Sequence, residues 1–304
     1  MTASIAHEAR IRTLDKTRVL VFALKAGGTA KTSSCTSLAA ILGARGYKVL
    51  VIDLDPQCNS SQILGYRRFR DGQPGIIQVM KQEASLQEAV VQARYQADEI
   101  DPEDPDDAYD PIENVYIVPA NSNDPDVDEA ERLLNDPKCA DSYWLREGLA
   151  DMDGQWDAVL IDCPATYGRA TVTAFVALDK NVDGEVIPPI LCTLKEGDAL
   201  VRLEKKLQEI RDLRKYAVKG IQPEMKRVLV CCAPNSSFGR AEHWKTLGEL
   251  QETYGDVLLP LIHWSGVIPS IYRDECPVPI LAPNSMPAQE YNKVATALGF
   301  TQIS

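Results

Sequence analysis

An apolar run, a loop of small residues and a Lys-Thr-Ser sequence follow one another near the start of this chain and constrain its fold most. Residues 19–24 predict a buried strand, and a helix is predicted to begin near Thr32. The loop between them reads Gly27-Gly28-Thr29-Ala30-Lys31-Thr32-Ser33. Such a unit suits a phosphate, because loop and helix N–H groups converge on the anion. An ordinary strand-to-helix turn is the alternative, since Lys25 and Ala30 stand where G-x-x-x-x-G-K-[ST] has glycine.

Two residues of this loop carry the chemistry expected of a nucleotide site. The Lys31 ammonium is expected to reach the β- and γ-phosphates, and the Thr32 hydroxyl is expected to bind Mg²⁺. We therefore predict nucleotide contacts along the whole loop, through Gly27, Gly28, Thr29, Ala30, Lys31, Thr32 and Ser33.

Two further apolar runs, 48–52 and 158–161, predict buried strands that end in carboxylates. The first leads into Asp53-Leu54-Asp55-Pro56-Gln57-Cys58-Asn59-Ser60, and the second leads into Asp162-Cys163-Pro164. The carboxyl ends of parallel strands form the edge at which open α/β sheets bind ligands. Because Mg²⁺ takes oxygen ligands and keeps several waters, we predict that Asp53 and Asp162 hold its water shell beside Thr32. A turn or N-cap role is the alternative for an isolated aspartate.

Together, these three blocks resemble the ParA/MinD family of deviant-Walker ATPases, over roughly residues 17–300. The most specific block is 53–60, which follows the family's D-x-D-P-Q-x-N-[AS] pattern closely. The resemblance implies a P-loop NTPase fold, hydrolysis of ATP with Mg²⁺, and a face-to-face homodimer that forms when ATP binds. By position it implies that Asp55 orients and polarises the attacking water. It also implies that Pro234 and Asn235 hold the adenine, although Asn often simply opens a turn.

The family usually carries a signature lysine immediately before the paired glycines, and this chain has Ala26 there. Lys25 stands one place earlier, where an extended chain turns its side chain to the other face. Since two facing anionic nucleotides need cationic compensation, we predict that Lys195 supplies this catalytic charge; a solvated surface lysine is the alternative. The McdA-type ATPases, which position carboxysomes, also lack the signature lysine, so the chain resembles this subgroup.

Strand-like runs separated by helical segments predict an α/β fold with a mostly parallel sheet covered on both faces. The runs are 18–24, 48–53, 115–119, 157–162, 186–193, 227–232 and 257–263. We predict one ATPase domain over 17–304, preceded by a short polar extension over 1–16. Eight cysteines without a C-x-x-C pair, and the lack of a signal region or long apolar run, favour a cytoplasmic protein without a membrane partner.

Charge is distributed unevenly along the chain, whose net charge is −12. Residues 98–141 contain sixteen acidic residues and two basic ones, which predicts a solvated acidic insertion. The remainder therefore carries about +2. A helix predicted over 202–219 has seven basic residues and three acidic ones, and such a helix can neutralise DNA phosphates without reading sequence. The DNA contacts predicted on it are Arg211, Arg214 and Lys215, with a solvated helix face as the alternative.

These observations favour an ATP-driven dimer that binds DNA non-specifically, over the nucleoid, and positions a cargo such as a plasmid or carboxysome through an adaptor protein. Two other functions remain open. A nucleotide-binding pseudoenzyme would account for alanine at positions 26 and 30. A redox or metal-delivery ATPase, like the nitrogenase iron protein, would need cysteines that bridge two subunits around a cluster.

Overall fold

A six-stranded sheet lies at the centre of the computed structural model, which describes residues 16–67, 72–96, 109–120, 143–192, 196–213 and 219–303. The strands are β1 Arg18–Phe22, β2 Val49–Asp53, β3 Val91–Gln96, β4 Tyr109–Val118, β5 Ala158–Asp162, β6 Asp183–Ile187, β7 Pro189–Leu191 and β8 Leu229–Cys231. The helices are α1 Lys31–Ala44, α2 Asn59–Ile63, α3 Ile76–Met80, α4 Trp144–Asp151, α5 Arg169–Val176, α6 Glu196–Asp212, α7 Ala241–Tyr254, α8 Val267–Arg273, α9 Val278–Leu281 and α10 Met286–Ala297, with a 3₁₀ turn at Gly255–Val257.

The strand order is β3-β4-β2-β5-β1-β6, and every pair is parallel except β3 with β4. The register places Asp162 of β5 directly between Phe22 of β1 and Asp53 of β2. This confirms the predicted α/β fold with a mostly parallel sheet. It also brings the ends of the three motif-bearing strands to one edge.

Alternating side chains of the central strands enter two separate hydrophobic layers. On β1, Val19 and Val21 pack on one face and Leu20 and Phe22 on the other. Helices α3 to α7 cover the first face, and α1, α2, α8, α9 and α10 cover the second. Since both faces are covered, the strands can be apolar at every position, which is why they read as continuous runs.

The helix after the glycine-containing loop is buried along almost its whole length, with only Ala44 exposed. Its small side chains allow the sheet and α10 to approach closely. A Cβ on Gly43, for example, would lie 2.4 Å from the Glu113 carbonyl oxygen. The chain leaves the helix at Gly46 with φ +92°, a left-handed conformation that favours glycine.

Three strand predictions need correction. The run 186–193 splits at Pro188: β6 joins β1 in the central sheet, whereas β7 pairs with β8 in a separate two-stranded sheet. The run 257–263 forms only isolated bridges, which fits the missing N–H of Pro260. The antiparallel edge strand β3 was not predicted, although Val91, Ala93 and Tyr95 alternate with polar residues along it.

Two charge-based predictions also change. Residues 109–118 of the acidic segment are strand β4 of the central sheet, so 98–141 is not one insertion; the parts at 98–108 and 121–141 lie outside the described residues. The basic helix begins at Glu196 and ends at Asp212 rather than spanning 202–219. Residues 1–15 of the predicted extension also lie outside the described residues. No helix in the described parts is long and apolar enough to cross a membrane.

Candidate functional site

The glycine-containing loop joins β1 to α1 at the carboxyl edge of the sheet and is open on its outer side. Gly28 and Ala30 both have positive φ, +70° and +69°, which bends the loop tightly. A Cβ added at Gly27 or at Gly28 would meet nothing within 4 Å, so the space in front of these residues is free. The Lys31 ammonium donates to the Ala26 carbonyl at 2.9 Å and so closes the loop. This geometry leaves room for a phosphate before the start of α1.

Hydroxyl groups from two segments converge on Asp162 at the end of β5. Its Oδ2 accepts hydrogen bonds of 2.7 Å from both the Thr32 and the Ser60 hydroxyls. Its Oδ1 is buried and has no hydrogen-bond partner among the residues that the structure describes. A buried, unpartnered carboxylate oxygen beside a threonine hydroxyl fits the oxygen donors that a hydrated Mg²⁺ requires. The predicted positions Thr32 and Asp162 are therefore in contact.

Asp53, at the end of β2, is held by the first turn of α2. Its Oδ2 accepts from the Ser61 hydroxyl at 2.7 Å and from the Ser61 N–H at 2.9 Å. Its Oδ1 accepts the Asp55 N–H at 3.1 Å. Asp55 is half-buried, and one of its oxygens accepts the Gln57 N–H at 3.0 Å. The second oxygen of Asp55 makes no hydrogen bond within the described chain and is available to a water molecule.

Burial of two neighbouring carboxyl groups perturbs both of their pKa values. Burial, and then the negative charge of Asp162, raise the pKa of Asp53 to about 8, although the Ser61 hydrogen bonds oppose this. Burial also raises the pKa of Asp162 to about 6, against the hydrogen bonds from Thr32 and Ser60. A pair of this kind is relieved by shared protons or by a cation between the groups. The site is therefore electrostatically prepared for a positive charge.

Sequence reasoning missed three residues of this site. Ser60 and Ser61 orient the two carboxylates, and Ser60 could have been found because it occupies the last place of the D-x-D-P-Q-x-N-[AS] block. Tyr272 lies on α8, far along the chain, and belongs to none of the motifs used in the sequence analysis. Although 42% of Tyr272 is exposed, partial burial of its hydroxyl and the negative charge of Asp162 raise its pKa to about 12.

The predicted adenine contacts lie at the end of β8, where Pro234 is buried and Asn235 is half-buried. The Asn235 amide is already engaged inside its own loop. Its Nδ2 donates to the Trp264 carbonyl at 3.1 Å, and its Oδ1 accepts the Ser237 N–H at 2.9 Å. One N–H and one lone pair therefore remain for a base.

Only some of the basic residues that were predicted to act at the nucleotide or on DNA lie within the described residues. Lys25 is exposed, whereas Ala26 packs against the hydrophobic layer. Lys195 lies outside the described residues. Of the predicted DNA contacts, Arg214 and Lys215 also lie outside them, and Arg211 donates to the Pro223 carbonyl and to Gln208. The exposed face of α6 that precedes Arg211 mixes both signs of charge.

The described cysteines are all free, and every one except Cys232 is buried. In the parts of the chain that are described, no cluster of three or more His, Cys, Asp or Glu side chains is arranged to hold a metal ion directly. A hydrated ion at the Asp53–Asp162 edge would instead rely on Thr32, on water and on phosphate oxygens.

Residues 17–222 match the model of the AAA domain family. The chain therefore belongs to this family, among ATPases of the ParA/MinD type. The cell division protein PomZ of Myxococcus xanthus is 27% identical over 236 residues, which cover 78% of this chain and 63% of PomZ. The chromosome partitioning protein ParA of Caulobacter vibrioides is 30% identical over 196 residues, covering 64% of this chain and 63% of that protein. The chain thus spans under two thirds of the length of these relatives.

Solved structures show the same fold at lower identity. A complex of Cyanothece McdA with ATP has a TM-score of 0.72 at 18% identity and covers 95% of this chain and 99% of that one. Pyrococcus horikoshii MinD with Mg-ADP has a TM-score of 0.64 at 23% identity, covering 93% and 96%. These similarities extend over nearly the whole length and establish the architecture.

Proposed function

We propose that this protein is a Mg²⁺-dependent ATPase whose nucleotide state controls its dimerisation. The observation that carries the proposal is the contact of Thr32 with Asp162, whose second oxygen is buried and unpartnered beside an open glycine loop. Membership of the ParA/MinD-type ATPases supports ATP as the nucleotide, as do the ATP of the McdA complex and the Mg-ADP of the MinD complex.

In this proposal the chain's own groups bind and orient the reactants. N–H groups of the loop and of the first turn of α1 hold the phosphates, and Lys31 turns from the Ala26 carbonyl to the γ-phosphate. Bound Mg²⁺ would neutralise phosphate charge, with Thr32 as its protein ligand and Asp53 and Asp162 holding its waters. Asp55 uses its unengaged oxygen to orient the attacking water.

Phosphate release from ATP tests this proposal directly. We expect Asp55→Ala to keep ATP binding and to lose about 10²–10⁴-fold in turnover, as happens when a positioned base is removed. Asp256→Ala, which removes an exposed carboxylate from the 3₁₀ turn, is the matched control and should keep full turnover. Binding without turnover in the unmodified protein would favour the pseudoenzyme alternative, and wild-type turnover in Asp55→Ala would remove Asp55 from the mechanism.

The proposed ATP-bound homodimer needs a cation against its two facing nucleotides. We propose Lys195 for this role, so Lys195→Ala should weaken ATP-dependent dimerisation on size exclusion while the monomer's affinity for ATP stays nearly intact. Lys25→Ala is the paired variant, because Lys25 is the exposed lysine nearest to the loop glycines in sequence. The opposite pattern would transfer the role to Lys25, and normal dimers in both variants would reject both residues.

We further propose that the dimer binds DNA without sequence preference and, through an adaptor protein, positions a cargo over the nucleoid. Support comes from the partitioning and positioning relatives and from the basic residues near the end of α6. A gel shift on unrelated DNA sequences should require ATP and weaken steeply with salt. Changing Arg211, Arg214 and Lys215 together to Ala should weaken it, whereas changing them to Lys or Arg should not. Equal binding with ADP would reject a nucleotide-controlled DNA switch.

A further inference from the structure

Three aromatic rings are stacked on the loop that follows β8. Phe238 lies between His243 and Trp264, with ring centroids 5.6 Å from His243 and 4.9 Å from Trp264 and interplanar angles of 13° and 14°. Trp264 is the outermost ring on its side and is 39% exposed. Across the described residues, no other ring and no cation lies over it. The stack therefore ends in an open aromatic face.

The backbone places this face on the same edge as the phosphate loop. The Trp264 N–H donates to the Ala233 carbonyl at 3.0 Å, just beyond the end of β8. Cys231, the last residue of β8, lies with its Sγ 3.6 Å from the Ser34 hydroxyl in the first turn of α1. Trp264 is thus a short distance along the edge from the turn at which phosphates are expected.

The loop that carries the stack is fixed by its own hydrogen bonds. Asn235 bonds both the Trp264 carbonyl and the Ser237 N–H, and Asn235 and Phe238 also exchange backbone hydrogen bonds of 2.7 and 3.2 Å. At the far end of the stack, His243 Nδ1 accepts the Arg240 N–H at 3.1 Å. Trp264 is consequently presented as a prepared planar surface, and ordering it on binding costs little entropy.

We propose that Trp264 is the platform on which the base of the bound nucleotide stacks. This inference rests on the proposed function, since it assumes a nucleotide whose phosphates lie at the loop 27–33. A planar heterocycle matches the open ring face, and the contact of Ser34 with Cys231 joins the start of α1 to the end of β8. Stacking reads the flat face of a base and not its edge, so Trp264 contributes affinity for ATP and for GTP alike.

Binding constants measured by calorimetry for ATP, GTP and inorganic tripolyphosphate test this role. Trp264→Ala should weaken ATP and GTP by about 5- to 150-fold, the usual range for a lost base–aromatic stack. Tripolyphosphate, which has no base, should bind Trp264→Ala as it binds the unmodified protein. Trp264→Phe keeps a ring and should retain most of the affinity. Trp244→Ala is the matched control, because Trp244 is 50% exposed on α7 but is not part of the stack.

Each outcome separates the possibilities. ATP affinity unchanged in Trp264→Ala overturns the platform and leaves the ATPase proposal intact. An equal loss for ATP and tripolyphosphate also overturns it, since the substitution would then have disturbed the loop and not the base contact. Failure of the unmodified protein to bind ATP with Mg²⁺ contradicts the proposed function itself. Thermal unfolding of each variant checks that the fold survives.

Discussion

Two sets of buried carboxylates in the same sheet differ in what faces their charge. Glu185, on β6, is 2% exposed, and its Oε1 lies 3.3 Å from Arg18 and 3.4 Å from Arg227. Asp53 and Asp162 are completely buried, and their hydrogen-bond partners are hydroxyl and backbone N–H groups. The positive charge at Glu185 is thus paired with it directly. Among the described residues, no cation is hydrogen-bonded to the Asp pair, and Lys31 acts on Asp162 only through space.

This difference separates a structural carboxylate from one that is arranged for a ligand. A buried carboxylate that faces cations of the same chain already has its counter-charge, even though the Glu185 Oε2 has no hydrogen-bond partner among the described residues. A buried pair of like charges without a bonded cation is costly in the empty protein, and the cost is recovered when a cation binds. At the Asp53–Asp162 pair, lower stability without a ligand is therefore the cost of higher affinity for a cation. The Glu185 cluster has no such cost and no such affinity.

The strongest test of this contrast compares Asp162→Asn with Glu185→Gln in nucleotide binding. We expect Asp162→Asn to lower the affinity for ATP in the presence of Mg²⁺ by about 10- to 100-fold, the usual cost of losing a group that orients a metal site. Without Mg²⁺ the two proteins should bind ATP similarly. Glu185→Gln should bind Mg-ATP like the unmodified protein. A loss of equal size in both variants would abolish the distinction.

In the protein without Mg²⁺ or nucleotide, we expect Glu185→Gln to be the more damaging of the two variants, which is the reverse of their order in Mg-ATP binding. Glu185→Gln leaves Arg18 and Arg227 without their buried counter-charge, and we expect a loss of about 1–2 kcal/mol in the free energy of unfolding. Asp162→Asn removes the repulsion from Asp53 while its carbonyl can still accept from Thr32, so it should unfold no more easily than the unmodified protein. Urea denaturation without Mg²⁺ or nucleotide measures both. A larger loss in Asp162→Asn would contradict the comparison.

Much of this fold could be predicted from the sequence, because both faces of the sheet are covered. Continuous apolar runs such as 49–53 and 158–162 cannot be mistaken for half-exposed strands. The errors fall where that signal fails. Prolines at 188 and 260 interrupt apolar runs that composition alone would join. The edge strand β3 alternates apolar and polar residues, so it lacks the continuous apolar run by which the other strands were recognised.

The site was predictable where local sequence determines it. Asp53 and Asp162 end recognisable strands, Thr32 lies in the first turn of the helix after the glycine-containing loop, and the structure brings the three to one edge. Tyr272 and Trp264 reach that edge from segments more than 200 residues after the loop, and only the tertiary fold brings them there. The raised pKa values of Asp53 and Asp162 could not be predicted either, because they are caused by burial, and the sequence does not show how deeply an individual side chain is buried.

Stability as a function of pH should distinguish the same two regions. The unfolded carboxyl groups titrate near 4, whereas the folded pKa values are raised, to about 8 for Asp53 and about 6 for Asp162. Between these limits the folded protein holds more protons than the unfolded chain, so the free energy of unfolding falls as pH rises, by about 1.4 kcal/mol per pH unit for each extra proton. The stabilisation of the folded protein by these protonated carboxyl groups is present in full below pH 4 and is lost above pH 8.

Urea unfolding at pH 6, 7 and 8 measures this slope in the empty protein. Burial also raises the pKa of Glu185, but Arg227 and Arg18 oppose the shift, so Glu185→Gln should change the slope little. Asp53→Asn should flatten it, and saturating Mg-ATP should flatten it too, because the cation replaces the protons. A slope that persists in Asp53→Asn would assign it to other groups.

The smallest expected effect concerns the backbone of the phosphate loop, where a conformation suited to phosphate binding lowers the stability of the folded protein. Ala30 has φ +69°, a conformation that costs an L-residue about 1 kcal/mol and glycine almost nothing. Ala30→Gly loses part of this gain through the more flexible unfolded chain, so we expect about 0.5 kcal/mol of added stability. Gly28→Ala, at φ +70° with open space around its Cβ, is the matched reverse variant and should destabilise by about 1 kcal/mol. If both variants shift the urea midpoint in the same direction, the left-handed geometry is not what limits the stability of this loop.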